Sequence, residues 1–297
     1  MVERDPFSTF RVRMDALGFQ PSSVLGQNFL LDPSLHQWIA ARAAPTAADT
    51  VVEIGVGLGF LTRELAARAG RVVAVEIDGR LLQLAQEELA AVTNVQWVHA
   101  DALSGPGRSL HPAIGEAALA VAAAGAGARC LVVANLPYSV SGPLLAELVA
   151  MPALLAHGVL LVQKEMAQRL AARVGEPEYG SLSALVQSVF TVRALRDVPP
   201  QVFRPRPKVM SAILELVRRD DAVLATATAV ERRAFAVFVR QLFQQRRKVL
   251  RTTLPVAAAA AGRVAPELPA DVLLARAETM GPEPLVALFQ QCRPDGR

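Results

Sequence analysis

Hydrophobic positions along the chain follow two rhythms. Short apolar runs at Val51–Ile54, Val72–Ile77, Val95–His99, Leu131–Ala134 and Gly158–Gln163 predict five largely buried strands. Between them apolar residues recur at helical spacing: around Leu61–Arg68, at Leu81, Leu82, Leu84, Ala85 and Leu89, and along Lys164–Arg173. Asp32 followed by Pro33 predicts an N-cap and a first helical residue, opening a helix through Leu35, Trp38, Ile39 and Arg42 that Pro45 stops. Two later runs, Phe190–Leu195 and Ile213–Val217, fit a hairpin closing the sheet. The alternation predicts an α/β chain built on a doubly wound, mainly parallel sheet. Beyond Arg219-Asp220-Asp221 the rhythm is helical only. The expected division is a sheet domain with an N-terminal arm, residues 1–218, and a smaller all-helical domain, residues 219–297.

One stretch organises the rest. Glu53-Ile54-Gly55-Val56-Gly57-Leu58-Gly59 links the first of these strands to the next helix, and its alternate glycines let the backbone turn sharply and approach a ligand. A strand, a glycine loop and a helix N-terminus make a nucleotide-like crevice. Glu76 ends the second strand, placed to accept hydrogen bonds from ribose hydroxyls. Asp101 lies just past the third strand, on the edge where ligands bind in open α/β sheets. A dinucleotide fingerprint is excluded, because G-x-G-x-x-G would need glycine where Phe60 or Thr62 stands. The pattern present, E-x-G-x-G-x-G, resembles the first motif of S-adenosylmethionine-dependent methyltransferases. That likeness implies S-adenosylmethionine as cofactor, held by Gly55, Gly57, Gly59, Glu76 and Asp101.

Composition narrows the class further. A hydrophobic fraction of 52% supports a substantial core, while no apolar run reaches the ~18–20 residues of a membrane span. The start, Met1–Pro6, lacks the apolar segment of a signal peptide. Cys130 and Cys292 form neither a disulfide framework nor a metal pattern, so packed thiols and a cytoplasmic location are expected. Net charge is only +4, but it is unevenly spread. Arg204–Arg251 holds twelve basic and four acidic residues, leaving the remainder at −4, as a polyanion-binding surface requires.

Asn135-Leu136-Pro137-Tyr138 follows the fourth strand directly, at the same sheet edge. This tetrapeptide suits methylation of an exocyclic amine on a planar base. Adenine N6 is a poor nucleophile because its lone pair is delocalised into the ring. An amide oxygen from Asn135 and the backbone carbonyl of Leu136 can accept both amine protons and favour a pyramidal nitrogen. Tyr138 can stack on the base, worth ~1–3 kcal/mol. Methyl transfer then depends mainly on positioning and needs no metal.

Together these stretches make the chain resemble the ribosomal RNA adenine N6-dimethyltransferases, a family with a Rossmann-like, class I methyltransferase fold. The likeness runs from Gly26 to about Leu254 and is closest to the bacterial small-subunit branch. Gly26-Gln27-Asn28-Phe29-Leu30 matches a family motif, which implies that Asn28 and Leu30 contact the cofactor along with Asn135. Gln163-Lys164-Glu165, Tyr179-Gly180-Ser181-Leu182-Ser183 and Phe203-x-Pro205-x-Pro207-x-Val209-x-Ser211 match as well. By that likeness Phe203 stacks opposite Tyr138 and sandwiches a flipped adenine. Phe243-x-x-Arg246-Arg247-Lys248 resembles the family's basic stretch. Arg204, Arg206, Lys208, Arg246, Arg247 and Lys248 are accordingly the expected RNA contacts. Val56 replaces the usual proline of the glycine loop, Gln20-Pro21-Ser22-Ser23 lacks the customary basic residues, and Thr252 stands where asparagine is common. Residues 104–128 are rich in alanine and glycine and carry no assigned chemistry.

The implied activity is N6,N6-dimethylation of two adjacent adenosines near the 3′ end of small-subunit rRNA, on an immature small ribosomal subunit, by a monomer. Two alternatives stand beside it. One is a large-subunit methyltransferase of the macrolide-resistance type. The other is a ribosome-assembly or checkpoint factor in which methylation is dispensable.

Overall fold

Strands whose two faces are both apolar must be covered on both sides, and the central strands here meet that demand. The computed structural model describes residues 6–16, 18–22, 26–125, 127–151, 153 and 155–294. Met1–Asp5 and the Ser23–Leu25 part of the arm lie outside the described residues. Seven strands form one sheet: β1 (Thr50–Ile54), β2 (Arg71–Glu76), β3 (Val95–His99), β4 (Cys130–Asn135), β5 (His157–Gln163), β6 (Phe190–Val198) and β7 (Ser211–Arg218). Their order is 3-2-1-4-5-7-6. The pairs from β3 through β5 are parallel, and β7 is antiparallel to both β5 and β6. The expected closing hairpin is therefore present. Strand order reverses between β1 and β4, which puts the crevice at their carboxyl ends.

Side chains alternate across the strands, and each face has its own core. Val51, Leu131 and Val159 pack with α2 (Pro33–Ala43) and α3 (Phe60–Ala66), which lie between α1 (Pro6–Ala16) and α4 (Gly79–Glu88) along the chain. Val52, Val132 and Leu160 pack with α5 (Pro112–Ala124), α6 (Ser141–Val149), α7 (Lys164–Ala171) and α8 (Ser181–Gln187). Asp32 caps α2 as its sequence predicts, accepting from Ser34 N at 2.9 Å.

After β7 come α9 (Ala229–Gln244), α10 (Leu250–Ala260), α11 (Ala270–Leu274) and α12 (Pro282–Gln291). Phe235 and Phe238 each lie 5.4 Å from the Phe289 ring, and all three share one continuous core with the sheet. The expectation of a strand-free C-terminal segment is corrected by a short antiparallel pair, Arg263–Val264 with Arg293–Pro294. Two-residue strands carry too little periodicity to be read from sequence. Cys130 and Cys292 are buried free thiols, and burial pushes Cys130 up to about 12. Among the described residues no helix is long and apolar enough to cross a membrane.

Candidate active site

The Gly26–Phe29 segment, the glycine loop, the carboxyl ends of β1, β2 and β4 and the residues just after β3 enclose a pocket of about 180 Å³. Asn28, Gly55, Gly57, Glu76, Asp101, Asn135, Leu136 and Tyr138, all expected at the site, line it. Glycine is required at two places for different reasons. Gly57 sits at φ 56° with the Phe29 ring where a Cβ would need room, 3.3 Å away. Gly59 sits at φ 77° as the N-cap of α3, and its Cβ would meet Ala85 at 3.2 Å. Gly59 is thus also required for packing against Ala85.

Glu76 organises the loop from below. One carboxylate oxygen accepts from Gly57 N and the other from Asp78 N, both at 2.9 Å. Burial holds its pKa above the ordinary value despite these bonds. Each oxygen retains a second lone pair, so a ribose diol can still be received. Asp101 is fixed by Leu103 N, which donates to its Oδ1 at 2.8 Å. Gln27 lines the same pocket, and its side chain reaches toward the Asp78 carboxylate, helping to lower its pKa. Glycine cradle and paired acceptors together fit a nucleoside cofactor.

Asn135 and Leu136 present complementary acceptors. Asn135 donates its Nδ2 to the Asn28 carbonyl at 3.1 Å, which leaves Oδ1 without a protein partner. Asn28 in turn donates to Gly26 O at 3.1 Å, so the Gly26–Asn28 loop and the tetrapeptide brace each other. The Leu136 side chain is buried and its N donates to Leu161 O at 3.0 Å. Its carbonyl receives no backbone or side-chain donor among the described residues. The turn is closed by Val140 N and the Ser141 hydroxyl, which donate to Pro137 O at 3.2 and 2.9 Å.

Two expected site residues are buried. Phe203 is fully buried in the core that holds α2 and α3. It pairs with Leu30 in a two-residue antiparallel bridge, Phe29–Leu30 with Phe203–Arg204. Leu30 is likewise buried, and its neighbour Phe29 lines the pocket instead. The basic positions divide too. Arg204, Arg206, Lys208, Arg247 and Lys248 are exposed without a carboxylate partner among the described residues, whereas Arg246 lies 3.5 Å from Glu278. Because Arg204 pairs in register with Phe29, the Arg204–Lys208 run starts beside the pocket wall.

Sequence reasoning gave Glu53 no role, yet it is fully buried two residues before Gly55. The buried Thr62 hydroxyl is its polar neighbour, and neither group meets any other hydrogen-bond partner among the described residues. Burial pushes Glu53 from 4.5 up to about 8 against a lowering contact with Thr62, and the Glu76 charge adds to the rise. It is protonated at neutral pH. The unfolded chain gives up this proton first, so stability falls as pH rises from 4.5 to about 8 and levels off above. Glu53→Gln keeps the shape without titrating. Its stability advantage is expected to grow across that window to on the order of 4 kcal/mol. Urea unfolding at stepped pH measures it, and a pH-independent difference would remove Glu53 as the titrating group.

Among the described residues no three His, Cys, Asp or Glu side chains group as metal ligands. A sequence model of the ribosomal RNA adenine dimethylases matches residues 18–266. The ribosomal RNA small subunit methyltransferase A of Geobacillus thermodenitrificans is 38% identical over 237 residues, 80% of this chain and 77% of its own. That of Moorella thermoacetica is 40% identical over 241 residues, 80% of each chain. Among solved structures, a dimethyladenosine transferase from Plasmodium falciparum superposes with a TM-score of 0.67 at 22% identity, covering 87% of this chain and 95% of that one. The 23S rRNA methyltransferase ErmE superposes with a TM-score of 0.59 at 26% identity, covering 89% and 98%.

Proposed function

Because the chain belongs to the ribosomal RNA adenine dimethylase family, we propose that it dimethylates N6 of two adjacent adenosines near the 3′ end of small-subunit rRNA. The reading is carried by one observation: an Asn135 amide oriented by the Asn28 carbonyl, in the pocket that Glu76 and Asp101 also line. The relatives named for the small subunit favour that RNA, and the natural substrate is its immature particle. In this reading the protein acts as a monomer.

The cofactor is S-adenosylmethionine, which supplies an electrophilic methyl group on a sulfonium. Glu76 receives its ribose hydroxyls, and the glycine loop admits it closely. Asn28 and Asp101 flank it. Asn135 Oδ1 and the Leu136 carbonyl hold the two amine protons of the flipped adenine and turn its lone pair toward the methyl group. The leaving proton is acidified by transfer itself and passes to an acceptor or water. Tyr138 supports the base from its face. Arg204, Arg206 and Lys208 beside the pocket, and Arg246, Arg247 and Lys248 after α9, bind phosphates. Affinity should therefore fall steeply with salt.

A second reading, methylation of large-subunit RNA, is favoured by the resemblance to the 23S rRNA methyltransferase. Transfer from labelled S-adenosylmethionine to unmethylated small and large subunits, followed by nucleoside analysis, separates the two. Label is expected as N6,N6-dimethyladenosine in small-subunit RNA. Label confined to large-subunit RNA would replace this reading with the second, and label in neither would end both.

A further inference from the structure

Tyr138 meets an unusual partner for a residue meant to stack on a mobile substrate. Its phenol oxygen lies 2.6 Å from Ser211 Oγ, and Ser211 is completely buried. Ser211 is the first residue of β7, in register with Gln163 of β5 and Val198 of β6, so its hydroxyl is fixed by the sheet on both sides. Tyr138 itself lines the pocket and is only partly exposed. Its ring is therefore anchored at both ends, by its backbone after β4 and by its hydroxyl.

We propose that Ser211 is a positioning residue that holds the Tyr138 ring at a fixed inclination to the bound adenine, and that the second methylation depends on it more than the first. This rests on the adenine N6 reading above. The asymmetry follows from proton counting. An unmodified amine offers two N–H groups to Asn135 Oδ1 and the Leu136 carbonyl. After one transfer a single N–H remains and one acceptor goes unused. The monomethylated base is then held by one hydrogen bond and by stacking, so a tilted or rotating ring harms it more. Burial holds Tyr138 protonated beyond its ordinary range, which keeps the phenol available to this bond.

Ser211→Ala and Tyr138→Phe remove the same bond from opposite ends, and the double variant completes a cycle. Each single variant is expected to lower kcat for dimethyladenosine formation about fivefold, with S-adenosylmethionine affinity and KM for RNA unchanged. N6-monomethyladenosine should accumulate in both, and the double variant should be no worse than either single. Additive losses, an unchanged mono-to-dimethyl ratio, or a loss confined to cofactor affinity would overturn the proposal. Should Ser211→Ala misfold, Tyr138→Phe leaves the strand intact and must still show the product shift. A wild-type chain that makes no dimethyladenosine fails the functional reading instead, before either variant is compared.

Discussion

Asn135→Ala is expected to lower kcat for methyl transfer by about 10²–10³-fold, the loss seen when one preorganised hydrogen-bonding group is removed from a reacting centre. Asn135 Oδ1 takes no protein hydrogen bond, and its partner nitrogen is committed to the Asn28 carbonyl at 3.1 Å. The side chain is thus oriented before substrate arrives, and its oxygen is reserved for the amine. Losing the Asn28 tether also loosens the Gly26–Asn28 loop, so cofactor affinity should weaken, by about fivefold for one lost hydrogen bond. Asn135→Asp tests the orientation separately. A carboxylate accepts as well as an amide does, but it cannot donate to Asn28 O, and the two oxygens repel. It should lose transfer almost as fully. Binding to the immature small subunit should survive both substitutions, because the basic residues are untouched. Single-turnover methylation and particle co-sedimentation measure the two effects. More than a tenth of the wild-type kcat in Asn135→Ala would sink the assigned role. Loss of binding together with transfer would argue against a separable catalytic pocket.

The parts of this site that were legible in sequence are those fixed by backbone geometry. A glycine loop after a buried strand, an acid at the end of the next strand and a turn after β4 must meet at the carboxyl edge of a doubly wound sheet. Gly57, Glu76, Asp101 and Asn135 follow from that topology alone. Parity was not legible. Phe29 and Leu30 are adjacent and both apolar, and only the bridge to Phe203–Arg204 decides which faces the pocket. Phe203 is buried beside the same bridge, although the proline spacing around it reads simply as a constrained turn. Charge counting failed in a related way. Of the twelve basic residues between Arg204 and Arg251, Arg218 and Arg219 are paired with Asp220 and Glu283, Arg233 with Glu147 and Arg246 with Glu278. The surface available to RNA is smaller than composition implies. The protonated state of Glu53 arises from enclosure by residues distant in the chain, and no local pattern announces it.

Arg232→Met is expected to destabilise the fold by about 3–5 kcal/mol, the range for breaking a buried charged network from one side. Arg232 counts toward the basic segment, yet it is 2% exposed and touches no carboxylate. Its Nε donates to Val149 O at 2.8 Å and its Nη2 to Met151 O at 2.5 Å. Nη1 donates to the carbonyls of Ala227 and Leu224. Val149 is the last residue of α6, so the guanidinium satisfies carbonyls that a helix end leaves without partners. A cation there also opposes the negative pole of the helix. Burial lowers its pKa from the ordinary value, but a guanidinium stays charged throughout the accessible range. Methionine fills similar space and supplies no donor, leaving several buried carbonyls unpaired at about 1–3 kcal/mol each. Lysine offers a compact ammonium that cannot fork to both sides, and Arg232→Lys should recover about half of the loss. Arg232 thereby ties α9 to α6, whose first residues close the Asn135–Tyr138 turn. The tie is structural, so below their melting temperatures both variants should retain near-normal kcat. Urea unfolding midpoints and methyl transfer at low temperature check this together. An unchanged midpoint in Arg232→Met, or lost transfer without lost stability, would assign the arginine to RNA rather than to the fold.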